Sequence, residues 1–229
     1  HPANGQPIAV PSQDMILGCY YLTKSKSDDL NSGKLFSSLN EVLLAHENKA
    51  IGLHAIINLR YKDNWIKDTT TGRAIFNSIL PDELDYINKL IDKKLLTEIV
   101  NQCYLIAGNY KTVIFLDQLK ELGFNMATYS GVSISISDVL VPAEKGKILA
   151  GAYDKVEEIK MKYDRHVLTE GERYNKVIDV WTHATKQMAE AMEDELRRDA
   201  DGLNPVVMRS DAGARGSKDQ IKQLAGRRG

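Results

Sequence analysis

The chain has 229 residues, 43% of them hydrophobic, and sets 30 Lys and Arg against 31 Asp and Glu for a formal net charge of −1. That length can bury a real core in one large or two small domains, and the charge balance excludes a whole-molecule field for nucleic acid or an anionic membrane. No apolar run approaches the ~18 residues of a membrane span and no signal peptide opens the sequence, so the expectation is a soluble, cytoplasmic protein without a membrane partner.

The opening HPANGQPIAVP carries turn chemistry in Pro2, Asn4, Gly5 and Pro7 and lacks an initiator methionine, which reads as a piece cut from a longer polypeptide. SQDMILGCYYLTK then predicts a short helix capped by Ser12. KSKSDDLNSGK is a polar loop, LNEVLLAHENK a helix, and the β-branched AIGLHAIINLRY a strand whose chemistry DTTTGRAIFNSIL continues. Residues 1–80 thus form a small mixed module.

After Pro81, KLIDKKLLTEIVNQCYLIAG and KTVIFLDQLKELGFNMATYSG are apolar-periodic and nearly free of breakers. They predict two packed helices, with Gly108 and Gly123 as stop or bend points, in a helical module over 81–143. SGVSISISDVLVP ends that module as a short strand or irregular connector. Cys19 and Cys103 lie far apart, each in an apolar helix-like run that matches no zinc or redox motif, so two reduced, buried thiols are expected and a long-range disulfide is the alternative.

Residues 144–203 carry the clearest period. Leu149, Ala152, Val156, Ile159 and Tyr163 alternate steps of three and four, and Tyr174, Val177, Trp181, Ala184, Met188 and Ala191 repeat the pattern. Between them Thr169 and Glu172 have capping-box spacing. Two such arms joined by a few residues fold back antiparallel, each arm of ~25 residues reaching about 37 Å at helical rise. The outer charges read as solvated faces. Glu172, Arg173, Asn175 and Lys176 gather polar groups at the tip, where they suit either partner docking or simple solvation.

The return segment, 204–229, contains SDAGARGSKDQIKQLAGRRG. Ser217 and Gln220 have capping-box spacing, Gly213 and Gly216 allow close approach, and Arg215 adds a forked cation beside a helix start, with Lys222 one turn further on. Such a loop suits phosphate. Taken alone it reads more simply as a tight turn whose arginine pairs with Asp211 or Asp219, since neither a Walker nor a dinucleotide fingerprint is present. His46, His54, His166 and His183 lack ligand spacing, the carboxylate pairs Asp28-Asp29 and Glu157-Glu158 point apart, and no nucleophile elbow occurs. The residues alone predict no active centre and no bound cofactor, in an α+β, mainly α chain.

Four strings in order, PANGQPIAVPSQDMILGCYYLT, DTTTGRAIFNSILP, GERYNKVIDVWT and SDAGARGSKDQIKQLAGRRG, resemble consecutive blocks of the bacterial RNA polymerase β′ family. The resemblance implies an internal fragment, the pore and funnel region lining the secondary channel by which nucleoside triphosphates enter and backtracked RNA leaves. It implies that Gln13 and Asp14, in the family's PSQD segment, and Arg215 and Lys222 line that channel. It implies that the hairpin is the rim helices, docking Gre-type cleavage factors or DksA-type regulators through Glu172, Arg173, Asn175 and Lys176. In some lineages Glu172, Asn175 and Lys176 would also serve a guanosine-tetraphosphate site.

On this reading the magnesium-binding motif Asn-Ala-Asp-Phe-Asp-Gly-Asp lies before the chain and the bridge helix and trigger loop after it. The implied whole is a nucleotidyltransferase acting on DNA templates, with Mg2+ and Zn2+ held by residues outside this chain and with β, α, ω and the rest of β′ as partners; the fragment by itself is expected to be inactive. Arg209, Ala212 and Arg227 depart from the family's usual methionine, serine and methionine. The rival expectation is a free-standing helical-hairpin interaction module, and a third is an independent phosphate binder centred on Arg215.

Overall fold

The computed structural model describes residues 3, 5, 7–26, 28–221 and 223. Among them are eight α-helices and a three-stranded mixed sheet, an α+β architecture dominated by helix. Two compact units emerge, one of His1–Ser133 with Met208–Arg215, the other of Ile134–Val207 with Gly216–Gly229.

The first unit is centred on α1 (Asp14–Thr23), in which Ile16, Leu17, Cys19, Tyr20 and Leu22 are all buried. Its start differs from the expected serine cap. Gln13 is the capping position, with φ 50 and ψ −115 and no side-chain cap, and the Met15 N–H donates to the Ser12 carbonyl at 3.2 Å. That is a type II′ turn with a glutamine where glycine is usual.

The sheet is built from β1 (Leu35–Phe36), parallel to β2 (Ile56–Tyr61), which pairs antiparallel with β3 (Asn64–Thr70). Between the first two strands runs α2 (Leu39–Glu47), capped by Ser38, whose hydroxyl accepts from the Glu41 N–H. Phe36, Val42, Ile51, Ile57, Leu59 and Ala74 close one core cluster.

Strand chemistry ends sooner than the sequence suggests. Thr70 caps α3 (Thr71–Asn77) by accepting from the Arg73 N–H at 3.1 Å, so TGRAIFN is helix and not strand. Gly72, a poor helix former, is required there because a Cβ on it would lie 1.8 Å from the Leu22 carbonyl oxygen of α1.

The two helices expected after Pro81 are both present within α4 (Lys93–Ser130), whose start is capped by Asp92. Gly108 breaks it with φ 78 and ψ 174, so the bend falls where one was expected. Gly123 stays helical. Its role is proximity: a Cβ on Gly18 of α1 would sit 2.0 Å from the Gly123 carbonyl oxygen, and one on Gly123 would sit 2.9 Å from Met15 Cα. Cys19 and Cys103 are buried free thiols, and burial pushes the Cys19 pKa up to about 12.

The second unit opens at Ile134 with a connector that is irregular apart from a 3-10 turn at Ile136–Asp138. Then come α5 (Lys145–Asp164) and α6 (Glu170–Arg198), joined by five residues. Tyr163 packs near Arg173, and ten residues back along α5 Tyr153 meets Trp181, eight residues on along α6, so the arms are antiparallel. They are unequal, 20 and 29 residues, about 30 and 43 Å at helical rise, rather than two matched arms.

The expected seam turns inward at every position but one. Ala152, Ala184 and Met188 are buried and the others partly so, whereas Tyr174 is 62% exposed. Below the seam Met192 and Leu196 join Val207, with Val139, Leu140 and Ile221 packed around them. The fully buried Asn204 fixes this base, donating to the Asp138 carbonyl and the Asp199 carboxylate and accepting from the Val206 N–H. Two short helices follow, α7 (Pro205–Asp211) and α8 (Lys218–Ile221).

Candidate functional site

The N-terminal end of α1 and the loop after α7 meet within the first unit. Ala214 and Arg215 both send their N–H groups to the Arg209 carbonyl at 3.2 Å, and the Ala212 carbonyl accepts from the Lys93 N–H at 3.0 Å. Gly213 has φ 69 and Gly216 φ 82, conformations that side chains resist, so the two glycines let the loop turn out and back around Arg215.

The Arg215 guanidinium donates from Nη2 to Gln13 Oε1 at 3.0 Å, across 202 residues of sequence. Gln13 is therefore the arginine's hydrogen-bond partner among the described residues, in place of the aspartates that a simple turn would offer. Both side chains are exposed, so the remaining N–H donors of a permanently charged fork face solvent.

Packing holds this pair in place. α1 is clamped between the Gly18–Gly123 contact on one side and Gly72 of α3 on the other, which fixes the helix whose first turn carries Gln13 and Asp14. Asp14 is exposed in the first helical turn, where a carboxylate offsets the positive helix end. A positive φ at a non-glycine residue stores about 1–3 kcal/mol, and such strain gathers at functional sites. Lys222 lies outside the described residues, as does Arg227.

The departures near the loop have local explanations. Ala212 is fully buried, a place with no call for a hydroxyl. Arg209 donates from Nη2 to the Val132 carbonyl at 3.0 Å while its Nε is buried without a partner.

At the hairpin tip the four expected docking residues divide into two kinds. Glu172 accepts from the Thr169 N–H at 2.9 Å and the Thr169 hydroxyl at 3.0 Å, while its own N–H donates back, completing the capping box. Those bonds hold its carboxyl below the usual range. Arg173 bonds Glu170 and stacks over the Tyr163 ring at 5.2 Å, taking the inward place expected of Tyr174. Glu172 and Arg173 thus serve the hairpin's own fold, and Asn175 and Lys176 stand exposed beside them.

Among the described residues no three His, Cys, Asp or Glu side chains come together as a metal site, and no helix is long and apolar enough to cross a membrane. His54 is structural: its Nδ1 lies 3.0 Å from the Lys24 carbonyl, its backbone N–H donates to Asp29 Oδ2 at 2.8 Å, and Tyr21 meets it edge-on at 4.7 Å. Sequence reasoning named Gln13 and Arg215 separately and missed their bond. It also missed Gly18 and Gly72, although a glycine inside an apolar helical run is the usual sign of close approach.

Residues 1–139 match the family described as RNA polymerase Rpb1, domain 3, and residues 168–229 that described as RNA polymerase Rpb1, domain 4. Over its whole length the chain is 45% identical to the DNA-directed RNA polymerase subunit beta' of Pelotomaculum thermopropionicum, covering 19% of that protein. It is 44% identical to the same subunit of Salinibacter ruber, covering 16% of it, and 40% identical to that of Chlorobaculum tepidum, covering 18%. The chain spans about a fifth of the length of these relatives.

Proposed function

We infer what this chain does from the family to which it belongs, that of the RNA polymerase β′ subunit, also called Rpb1. It acts within a DNA-directed RNA polymerase, lining the secondary channel. There Arg215 guides the phosphates of incoming nucleoside triphosphates, or of extruded RNA, toward catalytic carboxylates that lie elsewhere in the enzyme. The observation that carries this reading is the Gln13–Arg215 hydrogen bond: it sets a permanent cation, with most of its fork free, on a strained and tightly packed platform.

Each part has a physical task. Gln13 neutralises no charge, so it aims the guanidinium without weakening its field. Arginine suits the task better than lysine because its planar fork grips a phosphate through two parallel bonds. Asp14, of opposite sign, limits how long a polyanion dwells at the same rim. On the family reading Mg2+ and Zn2+ are held by the remainder of the subunit, and the chemical step belongs to residues there. The hairpin is the docking platform for Gre-type or DksA-type factors, and the surrounding partners are β, α, ω and the rest of β′.

Steady-state nucleotide addition by the whole polymerase tests the guide. Arg215→Ala is expected to raise the apparent KM for nucleoside triphosphates about tenfold with kcat within twofold, the sign of lost uniform binding, with Arg215→Lys in between. Gln13→Gly relieves the backbone strain and removes the amide, so KM should rise although the fold is no weaker. An unchanged KM in Arg215→Ala would end this reading of the loop.

A further inference from the structure

The arms of the hairpin enclose a groove of about 510 Å³ along the stem, away from the tip. The exposed Gly151 and the buried Ala152 and Ala184 line it together with the larger Ile148, Val180 and Gln187. One wall carries Lys147 and Lys155 of α5, eight residues and so about 12 Å apart; the other carries Asp179 and His183 of α6. None of these four polar side chains has a hydrogen-bond or ion-pair partner among the described residues. Elsewhere on α6 some charges pair along the helix, Glu170 with Arg173, Lys186 with Glu190 and Glu193 with Arg197.

Gly151 is the second, independent sign. It lies well inside α5, where glycine costs about 1 kcal/mol relative to alanine. A Cβ there would meet nothing within 4 Å. Neither a close internal contact nor an unusual φ explains it, unlike Gly18, Gly72 or Gly108. Gly146 and Gly171 are equally open but sit in the first turns of their helices, whereas Gly151 faces the groove, where an approaching group meets no Cβ.

We propose that this stem groove docks an acidic amphipathic helix of a partner protein. The occupant follows from charge and shape. The α5 wall offers two positive charges two turns apart, and the α6 wall one negative charge and an imidazole. A third helix laid along the groove therefore finds its acids drawn toward α5 and repelled from Asp179, which sets its orientation as flanking charges do in a coiled coil. The stretch lined by Gly151, Ala152 and Ala184 admits apolar knobs from that helix. The inference rests on the hairpin being a docking platform and moves the contact from the tip, where Glu172 and Arg173 are engaged internally, to the stem.

The probe is a labelled 21-residue synthetic helix with leucine and alanine on one face and glutamates two turns apart on its flank, titrated by fluorescence anisotropy into the whole polymerase. Gly151→Leu should weaken binding at least tenfold without lowering the melting temperature, because the space above Gly151 is open. Lys147→Glu with Lys155→Glu should do the same, and a peptide with lysines in place of the glutamates should bind that charge-reversed polymerase. Binding within twofold of wild type in Gly151→Leu would overturn the proposal. So would self-association of the polymerase abolished by that change, which would put a second copy in the groove.

A Gre-type cleavage factor separates the two levels. Loss of its action on Gly151→Leu supports the stem groove. Loss only on Asn175→Ala with Lys176→Ala keeps the hairpin as a platform and sinks the groove, and indifference to all of them sinks both.

Discussion

His54 shows how much one side chain can reveal about a loop. With Nδ1 on the Lys24 carbonyl and Nε2 buried without a partner, a second proton would place an unsatisfied N–H in the interior. Burial is the main cause of its lowered pKa; the bond to the Lys24 carbonyl and the charge of Asp29 pull the other way, the charges of Lys26 and Lys24 add to the lowering, and Tyr21 packs against the ring. A depressed folded pKa means the neutral form contributes stability that is present above the ordinary value near 6.5 and is lost as pH falls through the lower folded value. Urea unfolding from pH 7.5 to 5.0 should show that loss in the wild type and a flatter profile in His54→Gln. Glu41 and Glu172, whose pKa values are lowered from 4.5, act only below that window, so their contribution does not overlap it.

Among the elements, the α1–α4 crossing does most to place the site. Gly18→Ala forces a Cβ toward a carbonyl oxygen 2.0 Å away, so the helices must part. Overpacking of this severity costs about 3 kcal/mol or more, and thermal melts should show a drop of several degrees. Gly151→Ala, in open space, should raise stability by about 1 kcal/mol. A Gly18→Ala protein that melts like wild type would contradict the close crossing.

Two glycines in helices thus respond in opposite directions, and their local sequence does not tell them apart. The sequence does show the seam of the hairpin and its Thr169–Glu172 box, because a three-four period and a capping pair are local signals. It misreads TGRAIFN because Gly72 and the three threonines before it look unhelical until the Leu22 carbonyl beside Gly72 is known. It places Tyr174 in the seam because period alone cannot see that Arg173 is drawn inward by Glu170 and Tyr163. The Gln13–Arg215 bond joins residues 202 apart, and no local pattern carries such a pairing.

For the whole molecule, the two units differ in how much they bury. The first holds the sheet cluster, nearly all of α1 and the inner face of α4; the cluster in the second is Met192, Leu196 and Val207 with a thin shell. The two tryptophans fall one to each unit, Trp65 on β3 and Trp181 against Tyr153 on the hairpin. Single-tryptophan variants should therefore unfold at different denaturant concentrations, with the Trp181 signal lost first. Coincident midpoints would mean that the chain unfolds as one cooperative body.

The unequal arms of the hairpin have a mechanical consequence. α6 runs past the end of its partner and sinks Met192 and Leu196 into the base, so it acts as the post while α5 is a strut laid along it. A pull at the tip reaches the base through α6 directly and through the connector before α5, whose Val139 and Leu140 pack on the same cluster. Because the footing lies below the last shared layer, matched seven-residue insertions in both arms would extend the lever and leave its foundation untouched.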